Sequence, residues 1–154
     1  MEQSSTSQPA AGCELTVEIV TRSGVEYQGR VAGVVFPGAD GYIGVHQGHA
    51  SLLTSMGIGV ATLAAPAQTV YVAISGGVAE VHDNTVTLLA EVAELATEID
   101  TSRAQRAAER ARKRLDAMYR GPGEETVVDV ERARMALARA INRLQTADKA
   151  GTLS

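Results

Sequence analysis

The stretch Phe36–Ile58, FPGADGYIGVHQGHASLLTSMGI, decides how the first part of the chain folds. Glycines stand at positions 38, 41, 44, 48 and 57, with apolar residues set singly or in pairs between them. Glycine at this density is typical of turns that need a positive φ or a close approach of two backbones. Short apolar segments between such turns indicate strands. The stretch therefore predicts a loop-rich corner of a β-sandwich or barrel, and a binding surface rather than an active site.

The β pattern extends on both sides of this stretch, from Leu15 to Ala90. Separate extended runs are predicted at Gly29–Val35, Thr69–Ile74 and Gly76–Val81. Asp83-Asn84 lies between two β-branched runs, which is a typical hairpin signal. Strands this short and this regularly punctuated predict a sandwich or flattened barrel of eight to ten strands.

The composition changes at about Glu94, where Ala, Arg and Glu replace Gly and Val. Asp100 precedes a helical run to about Tyr119, and Gly121-Pro122-Gly123 ends it. Thr126 or Asp129 can cap a second helix. Each helix carries one apolar stripe at helical spacing. The stripes are Ala104, Ala108, Ala111, Leu115 and Met118, then Val130, Ala133, Leu137, Ala140 or Ile141, and Leu144.

Two amphipathic helices joined by a short breaker indicate an antiparallel hairpin. The predicted fold class is thus α+β by segregation, with an N-terminal β-sandwich of about ten strands and a C-terminal two-helix hairpin. We place a flexible tail at 1–12, the sandwich at 13–92, the hairpin at 93–148 and a second tail at 149–154. The largely alanine seam buries little area, so the hairpin should be only marginally stable against opening.

The bulk composition excludes several classes. The 154 residues fit one domain, or one domain with an appendage, and with one Phe and no Trp the core must be aliphatic. Cys13 is the lone cysteine, which favours a reducing compartment. No apolar run approaches the ~20 residues of a membrane span. The N-terminus lacks the basic and apolar regions of a signal peptide.

Charge divides the chain in two. Residues 1–98 carry 2 basic and 10 acidic groups, a net of −8, whereas residues 99–154 carry 12 basic and 8 acidic groups, a net of +4. Such asymmetry suggests two modules with different partners.

The basic groups repeat between the helices. RAQRAAERARKRL from Arg103 matches RARMALARAINRL from Arg132 at seven of thirteen positions. Arg103, Arg110 and Arg114 correspond to Arg132, Arg139 and Arg143, and the intervals of seven and four put each trio on one helix face. A solvated face is the commonest explanation of such a run. The functional alternatives are recognition of phosphate, or docking on an acidic protein surface.

No catalytic chemistry stands out. The chain lacks a P-loop, and Ser75-Gly76-Gly77 does not fit a nucleophile elbow. His46, His49 and His82 lack metal-ligand spacing, so we predict no metal site. An enzyme is therefore disfavoured. Nucleic acid is disfavoured as well, because the β part is acidic and the aromatic residues for base stacking are missing.

The chain resembles the epsilon subunit of the bacterial F-type ATP synthase (delta in mitochondria). Three segments carry the resemblance, which covers roughly residues 13–148 and is specific in combination. They are Phe36-Pro-Gly-Ala-Asp-Gly-Tyr-Ile-Gly44, Gly48-His49-Ala50-Ser51-Leu52-Leu53-Thr54 and Ile74-Ser75-Gly76-Gly77-Val78-Ala79-Glu80-Val81.

The resemblance implies a non-catalytic subunit of the rotating central stalk, peripheral to the cytoplasmic face of the bacterial inner membrane. Its sandwich would bind the gamma subunit and sit on the membrane c-ring. Its hairpin would either fold on the sandwich or extend to the alpha and beta subunits and inhibit ATP hydrolysis. The alternative is a free-standing module whose basic hairpin recognises nucleic acid or another anion.

The resemblance also implies a candidate nucleotide site. Some bacterial members bind ATP in the folded hairpin without hydrolysing it, through a motif I/L-D-x-x-R-A that Ile99-Asp100-Thr-Ser-Arg103-Ala104 matches. Further positions of that motif correspond to Glu94, Arg110, Arg139 and Arg143. No cofactor is required, and ATP would be a regulatory ligand.

Three positions depart from the family. Tyr42 stands where an acidic residue near the c-ring is common, and Gln47 and Ser51 stand where proline is usual. His49 keeps the family's histidine. Tyr42 and His49 are thus the candidate c-ring contacts, in a loop that the missing prolines would leave less rigid.

Overall fold

The computed structural model describes residues 15–120 and 127–151, without the side chains of 118–120 and 127–128. The predicted N-terminal tail, the breaker at 121–123, the Thr126 cap and the side chain of Met118 lie outside the described residues. Eight strands come first. They are β1 (Leu15–Thr21), β2 (Gly24–Val31), β3 (Gly33–Gly38), β4 (Gly41–His46), β5 (Leu52–Ala64), β6 (Thr69–His82), β7 (Thr85–Ala90) and β8 (Ala93–Leu95).

The strands form one sheet with the order β2-β1-β7-β6-β5-β3-β4, and β8 pairs with β6 beside this path. Among the eight described strands, β1 and β7 alone pair in parallel. All eight strands contribute side chains to a single interior cluster, in which Phe36, Leu15 and Ile19 are fully buried. One continuous sheet can share one interior only if it curls over on itself. The predicted sandwich class is therefore confirmed.

Two long strands make this curl possible. β5 has 13 residues and β6 has 14, and they pair along almost their whole length. β6 passes through Gly76 and Gly77 with φ of +79° and +125°, values that favour glycine. Thr69–Ile74 and Gly76–Val81, predicted as separate strands, are thus two parts of one bent strand. This continuity is why the described residues contain eight strands rather than about ten.

Other strand boundaries differ from the prediction in smaller ways. The run Gly29–Val35 divides at Ala32, between β2 and β3. Ala93 of β8 is buried and pairs with Ile74, so the sheet continues past the predicted boundary at residue 92. The turn at Asp83-Asn84 is confirmed, since both residues have positive φ, as a two-residue type I′ hairpin requires.

A 3₁₀ turn (Ala96–Glu98) leads into α1 (Thr101–Arg120), and α2 (Val127–Gly151) follows. Asp100 caps α1, because its Oδ1 accepts the Arg103 N–H at 2.9 Å. Asp129, the other predicted cap, lies inside the first turn of α2 rather than before it. The helix continues through residues 149–151, which were predicted as tail.

The helices pack together along their alanines. Ala104, Ala108, Ala111, Ala133 and Ala140 are all at most 5% exposed, as the stripes predicted. As far as the two helices are described, neither is both long and apolar enough to cross a bilayer.

The bend in β6 gives a direct test. A Cβ at Gly77 would clash with the Leu89 carbonyl oxygen and lie 2.8 Å from Ala90 Cα. We expect Gly77→Ala to lower the free energy of unfolding by about 3 kcal/mol or more, because backbone strain and this clash add. Urea denaturation of the whole chain measures the loss.

Gly44→Ala is the matched control within the sheet. Its Cβ would meet only Val35 Cγ2, at 3.9 Å, so the change should stay within about 0.5 kcal/mol. Equal stability of the two variants would show that β6 does not need its glycine bend.

Candidate functional site

The helical hairpin lies on one outer surface of the sandwich, where α2 contacts β5, β6 and the 3₁₀ turn. Val60 and Ala73 are 6% and 3% exposed, yet neither belongs to the interior cluster. Because side chains alternate along a strand, these two point away from the interior that Ala61 and Val72 fill. They are buried on the helical side of the sheet. We call Gly59, Val60, Ala73, Ile74 and Ser75 the docking face.

Asn142 of α2 makes the central polar contact with the docking face. It is 4% exposed, and its Nδ2 donates to the carbonyl oxygens of Gly59 at 2.9 Å and Ile74 at 3.0 Å. One turn on, the fully buried Thr146 donates through Oγ1 to the Asn142 carbonyl oxygen at 2.7 Å. The sequence prediction missed both residues. Polar side chains four residues apart beside the apolar stripe were the available signal.

An ion pair lies beside this contact. Arg143 Nε and Nη2 are 2.7 and 2.6 Å from Glu94 Oε1, with the side chains 26% and 33% exposed. Bonds between two charged groups are strong, but solvent screening at this exposure limits the gain to about 1 kcal/mol. The structure thus brings together two of the eight predicted nucleotide-site residues. The Glu94 carboxylate binds the Arg143 guanidinium, which was predicted to contact phosphate.

Three other predicted site residues have structural contacts. Ile99 is buried, Asp100 caps α1, and Ala104 packs in the helix seam. Each of these roles accounts for its residue type without a ligand. The motif is therefore compatible with a folded hairpin that holds no ligand.

The remaining three arginines are open to solvent to different degrees. Arg103 and Arg110 are exposed on α1. Arg139 of α2 is half-buried and lines a cleft of about 450 Å³ together with Met135, Glu91 and the glycine bend. The convergence of these side chains on a triphosphate stays a prediction.

The candidate c-ring contacts lie apart. Tyr42 is the second residue of β4 and is 62% exposed, and its hydroxyl accepts the Val60 N–H at 3.3 Å. His49 lies in the loop beyond the other end of β4, where its Nδ1 is 2.7 Å from the Ala50 carbonyl oxygen. At ~3.3 Å per residue, Tyr42 and the end of β4 at His46 are roughly 13 Å apart. The two residues do not form one cluster.

The loop that holds His49 is fixed to the β6–β7 turn. Gly48 N–H donates to Asn84 Oδ1 at 2.8 Å, and Ser51 Oγ is 3.1 Å from His82 Nδ1. His82 Nε2 lies 3.0 Å from Asp83 Oδ2. In the tautomer with its hydrogen on Nε2, His82 donates to Asp83 and accepts a hydrogen bond from the Ser51 hydroxyl at Nδ1. Ser51 thus ties the loop down at a position where proline is usual.

Metal binding finds no support in the part of the chain that the structure describes. It contains no group of three or more His, Cys, Asp or Glu side chains placed to hold an ion.

Comparison with known proteins bears on both parts of the chain. Residues 14–96 match the beta-sandwich domain of the ATP synthase delta/epsilon chain, and residues 97–148 match its long alpha-helix domain. The ATP synthase epsilon chain of Desulforamulus reducens is 39% identical over 132 residues, which are 86% of this chain and 96% of that one. The chain belongs to the delta/epsilon family of ATP synthase subunits.

A second epsilon chain, from Halalkalibacterium halodurans, is 38% identical over 135 residues and is covered to 98%. A chain in the cryo-EM structure of the Euglena gracilis mitochondrial ATP synthase OSCP/F1/c-ring has a TM-score of 0.70, over 99% of this chain and 89% of that one. At 21% identity, this likeness shows the shared fold.

Membership in the delta/epsilon family confirms the predicted identity as a non-catalytic subunit of the F-type ATP synthase. The alternative, a free-standing module for nucleic acid or another anion, is not supported by these relatives. Within the family's two-domain plan, the site described above is the contact between the two domains.

Proposed function

We propose that this chain works in the central stalk on the cytoplasmic face of the bacterial membrane, and that its hairpin regulates ATP hydrolysis by moving. In the docked position, α2 lies on β5 and β6. In the extended position, the hairpin reaches the alpha and beta subunits and hinders hydrolysis. The docked contact between α2 and the docking face is the observation that carries the proposal.

The nature of that contact supports a movable element. Within the docking face, only Val60 and Ala73 turn apolar side chains toward α2, because Ile74 belongs to the interior cluster. The helix seam is mostly alanine, so little apolar area holds either surface. None of the described side chains of α1 and α2 belongs to the interior cluster. The sandwich therefore keeps its core when the hairpin leaves. The exposed arginines of α1 suit an acidic surface on the partner in the extended position.

Removal of the hairpin tests this regulation. A chain that ends at Glu98 should assemble into the ATP synthase and raise its rate of ATP hydrolysis several-fold, because no helix remains to extend. The measurement is ATPase activity of the purified complex, with the full chain as control. Equal rates in the two complexes would contradict the regulatory role.

The sandwich presents an apolar row that supports binding of the gamma subunit. Val25, Leu89 and Val78 are 56%, 51% and 40% exposed. The register joins them through Val20, which lies opposite Val25 on one side and Leu89 on the other, and Val78 lies opposite Leu89. A contiguous exposed apolar surface across four strands marks a protein contact.

The c-ring contact is assigned to the loop with His49, which is tied to the β6–β7 turn. Tyr42 is a second candidate, away from that loop.

A charge in the apolar row tests the gamma contact. Leu89→Asp should weaken co-purification with gamma at least tenfold, because a carboxylate would be buried without a partner. Val35→Asp on β3, at another exposed apolar position (39%), is the control. Undiminished gamma binding by the Leu89 variant would exclude this row as the interface.

ATP is proposed as a regulatory ligand of the docked hairpin, held by Arg103, Arg110 and Arg139 together with Arg143 once it is released from Glu94. The partly buried Arg139 beside the cleft supports a phosphate contact there. A ligand that binds only the docked form shifts the equilibrium by its differential affinity.

Calorimetric titration of the isolated chain with ATP tests the ligand. Arg103→Ala should lower ATP affinity about tenfold through loss of a charge-assisted bond. Arg112→Ala removes a guanidinium nine residues on, on the opposite face of α1, and should leave the affinity unchanged. No heat at millimolar ATP, or equal effects of the two changes, would rule out the site.

A further inference from the structure

One peptide group of β5 is contacted from two sides. The carbonyl oxygen of Gly59 accepts the Asn142 amide at 2.9 Å, and the N–H of Val60, which belongs to the same peptide group, donates to the Tyr42 hydroxyl at 3.3 Å. A peptide group that donates and accepts at once is polarised, and each bond strengthens the other. Tyr42 on the sandwich and Asn142 on the hairpin therefore share one backbone unit.

The surroundings keep this peptide in place. A Cβ at Gly59 would lie 2.7 Å from Pro37 Cβ and 2.8 Å from the Tyr42 hydroxyl oxygen, so β3 and β4 pack closely over the glycine. On the neighbouring strand, Ile74 lies directly opposite Gly59 and offers the second carbonyl to Asn142. The acceptors are backbone atoms of a paired, buried segment. Together the two carbonyl oxygens form a fixed acceptor site, which we call the seat of the Asn142 amide.

Asn142 differs from the other polar contacts of α2. The Glu94–Arg143 pair is partly exposed and charged, so salt weakens it. Lys149 lies 5.6 Å from the centre of the Tyr71 ring with its own side chain at the surface. Asn142 is uncharged and 4% exposed, and it uses both of its Nδ2 hydrogens. Its contribution is therefore independent of salt and requires two donor hydrogens.

We propose that Asn142 is the positioning residue that selects the docked hairpin, by donating two hydrogen bonds to Gly59 and Ile74 while Tyr42 holds the shared peptide. The inference rests on the proposed movement of the hairpin and adds the contact that controls it. It also connects the exposed Tyr42 to hairpin docking: a partner that draws the Tyr42 hydroxyl away weakens the seat of Asn142.

Asn142→Asp is the decisive variant. A carboxylate offers no hydrogen to either carbonyl and places negative charge against two acceptors. The loss of two hydrogen bonds should raise the ratio of open to docked hairpin at least about tenfold. Gln145→Glu makes the same chemical change on the exposed face of α2, three residues on, and should leave the ratio unchanged. Tyr42→Phe should give a smaller rise than Asn142→Asp.

The ratio is measured by pulsed dipolar EPR on the full chain with Cys13→Ser and spin labels at Glu80→Cys and Ala117→Cys, which are exposed on the sandwich and on α1. The expected result is one docked distance for the parent and for Gln145→Glu, and a second, open distance for Asn142→Asp. Urea unfolding of the sandwich should be the same in all three chains, because Asn142 lies outside the interior cluster. An unchanged distance in Asn142→Asp, or a change matched by Gln145→Glu, overturns the inference.

ATPase assays on complexes that carry the same variants separate the two proposals. An Asn142→Asp chain that opens and also inhibits hydrolysis more strongly supports both. A chain that opens without added inhibition leaves Asn142 as the docking determinant and contradicts the regulatory function. If the Asn142→Asp chain stays docked, the proposed role of Asn142 is overturned. The movement of the hairpin is then tested separately, by the chain that ends at Glu98.

Discussion

The pairing of β5 with β6 is the interaction on which the rest of this structure depends. The two strands are joined from Leu52–Val81 to Ala64–Thr69, and each has glycines near the middle of its length. Because the pair bends there, one face can close around an aliphatic interior without a tryptophan. The same strands present the other face to α2. Core and docking face are therefore two sides of one ladder, and the hairpin is placed by the geometry that closes the sandwich.

This arrangement separates stability from regulation. Among the described side chains, the interior cluster is formed by residues of the strands, whereas the hairpin rests on a few apolar side chains and a few polar bonds. A hairpin held mainly by specific polar contacts can leave without exposing a large apolar surface, so its docking is adjustable by small free energies. Two contacts can change the stability of the docked hairpin. Salt and competing anions weaken the Glu94–Arg143 ion pair, and the conformation of β5 affects the hydrogen bonds of Asn142.

Much of this fold could be predicted from the sequence, because its signals are local. Asp83-Asn84 specifies a two-residue turn, Asp100 a helix cap, and the alanine stripes a helix pair. The continuity of β6 could not be predicted in this way. A Gly-Gly pair such as Gly76-Gly77 is compatible both with the end of a strand and with a bend inside one. The pairing with β5 determines which of the two forms, and it is a long-range contact. The pairing of β8 just beyond residue 92 could not be predicted for the same reason, since Ala93 is placed by its long-range partner Ile74.

The candidate site was predicted less completely. Glu94 and Arg143 do meet, but a list of residues drawn from a motif gave no indication that they pair with each other. Asn142 was missed because its spacing of four residues from Thr146 was the only signal, and its partners are backbone carbonyls that no side chain identifies. Tyr42 and His49 were close in sequence, yet β4 separates them. Contacts to backbone and distances across a strand are fixed by tertiary structure.

The hairpin docked on β5 and β6 is the proposed permissive state of the subunit, in which ATP hydrolysis is not hindered. Thr97→Cys and Ala150→Cys, in a Cys13→Ser chain, place thiols on two walls of one groove between the sandwich and the end of α2. A short bismaleimide across them fixes α2 on the docking face and leaves Asn142, Glu94 and Arg143 intact. The assembled ATP synthase with the cross-linked chain should hydrolyse ATP as fast as a complex without the hairpin. Inhibition as strong as with the uncross-linked chain would contradict it.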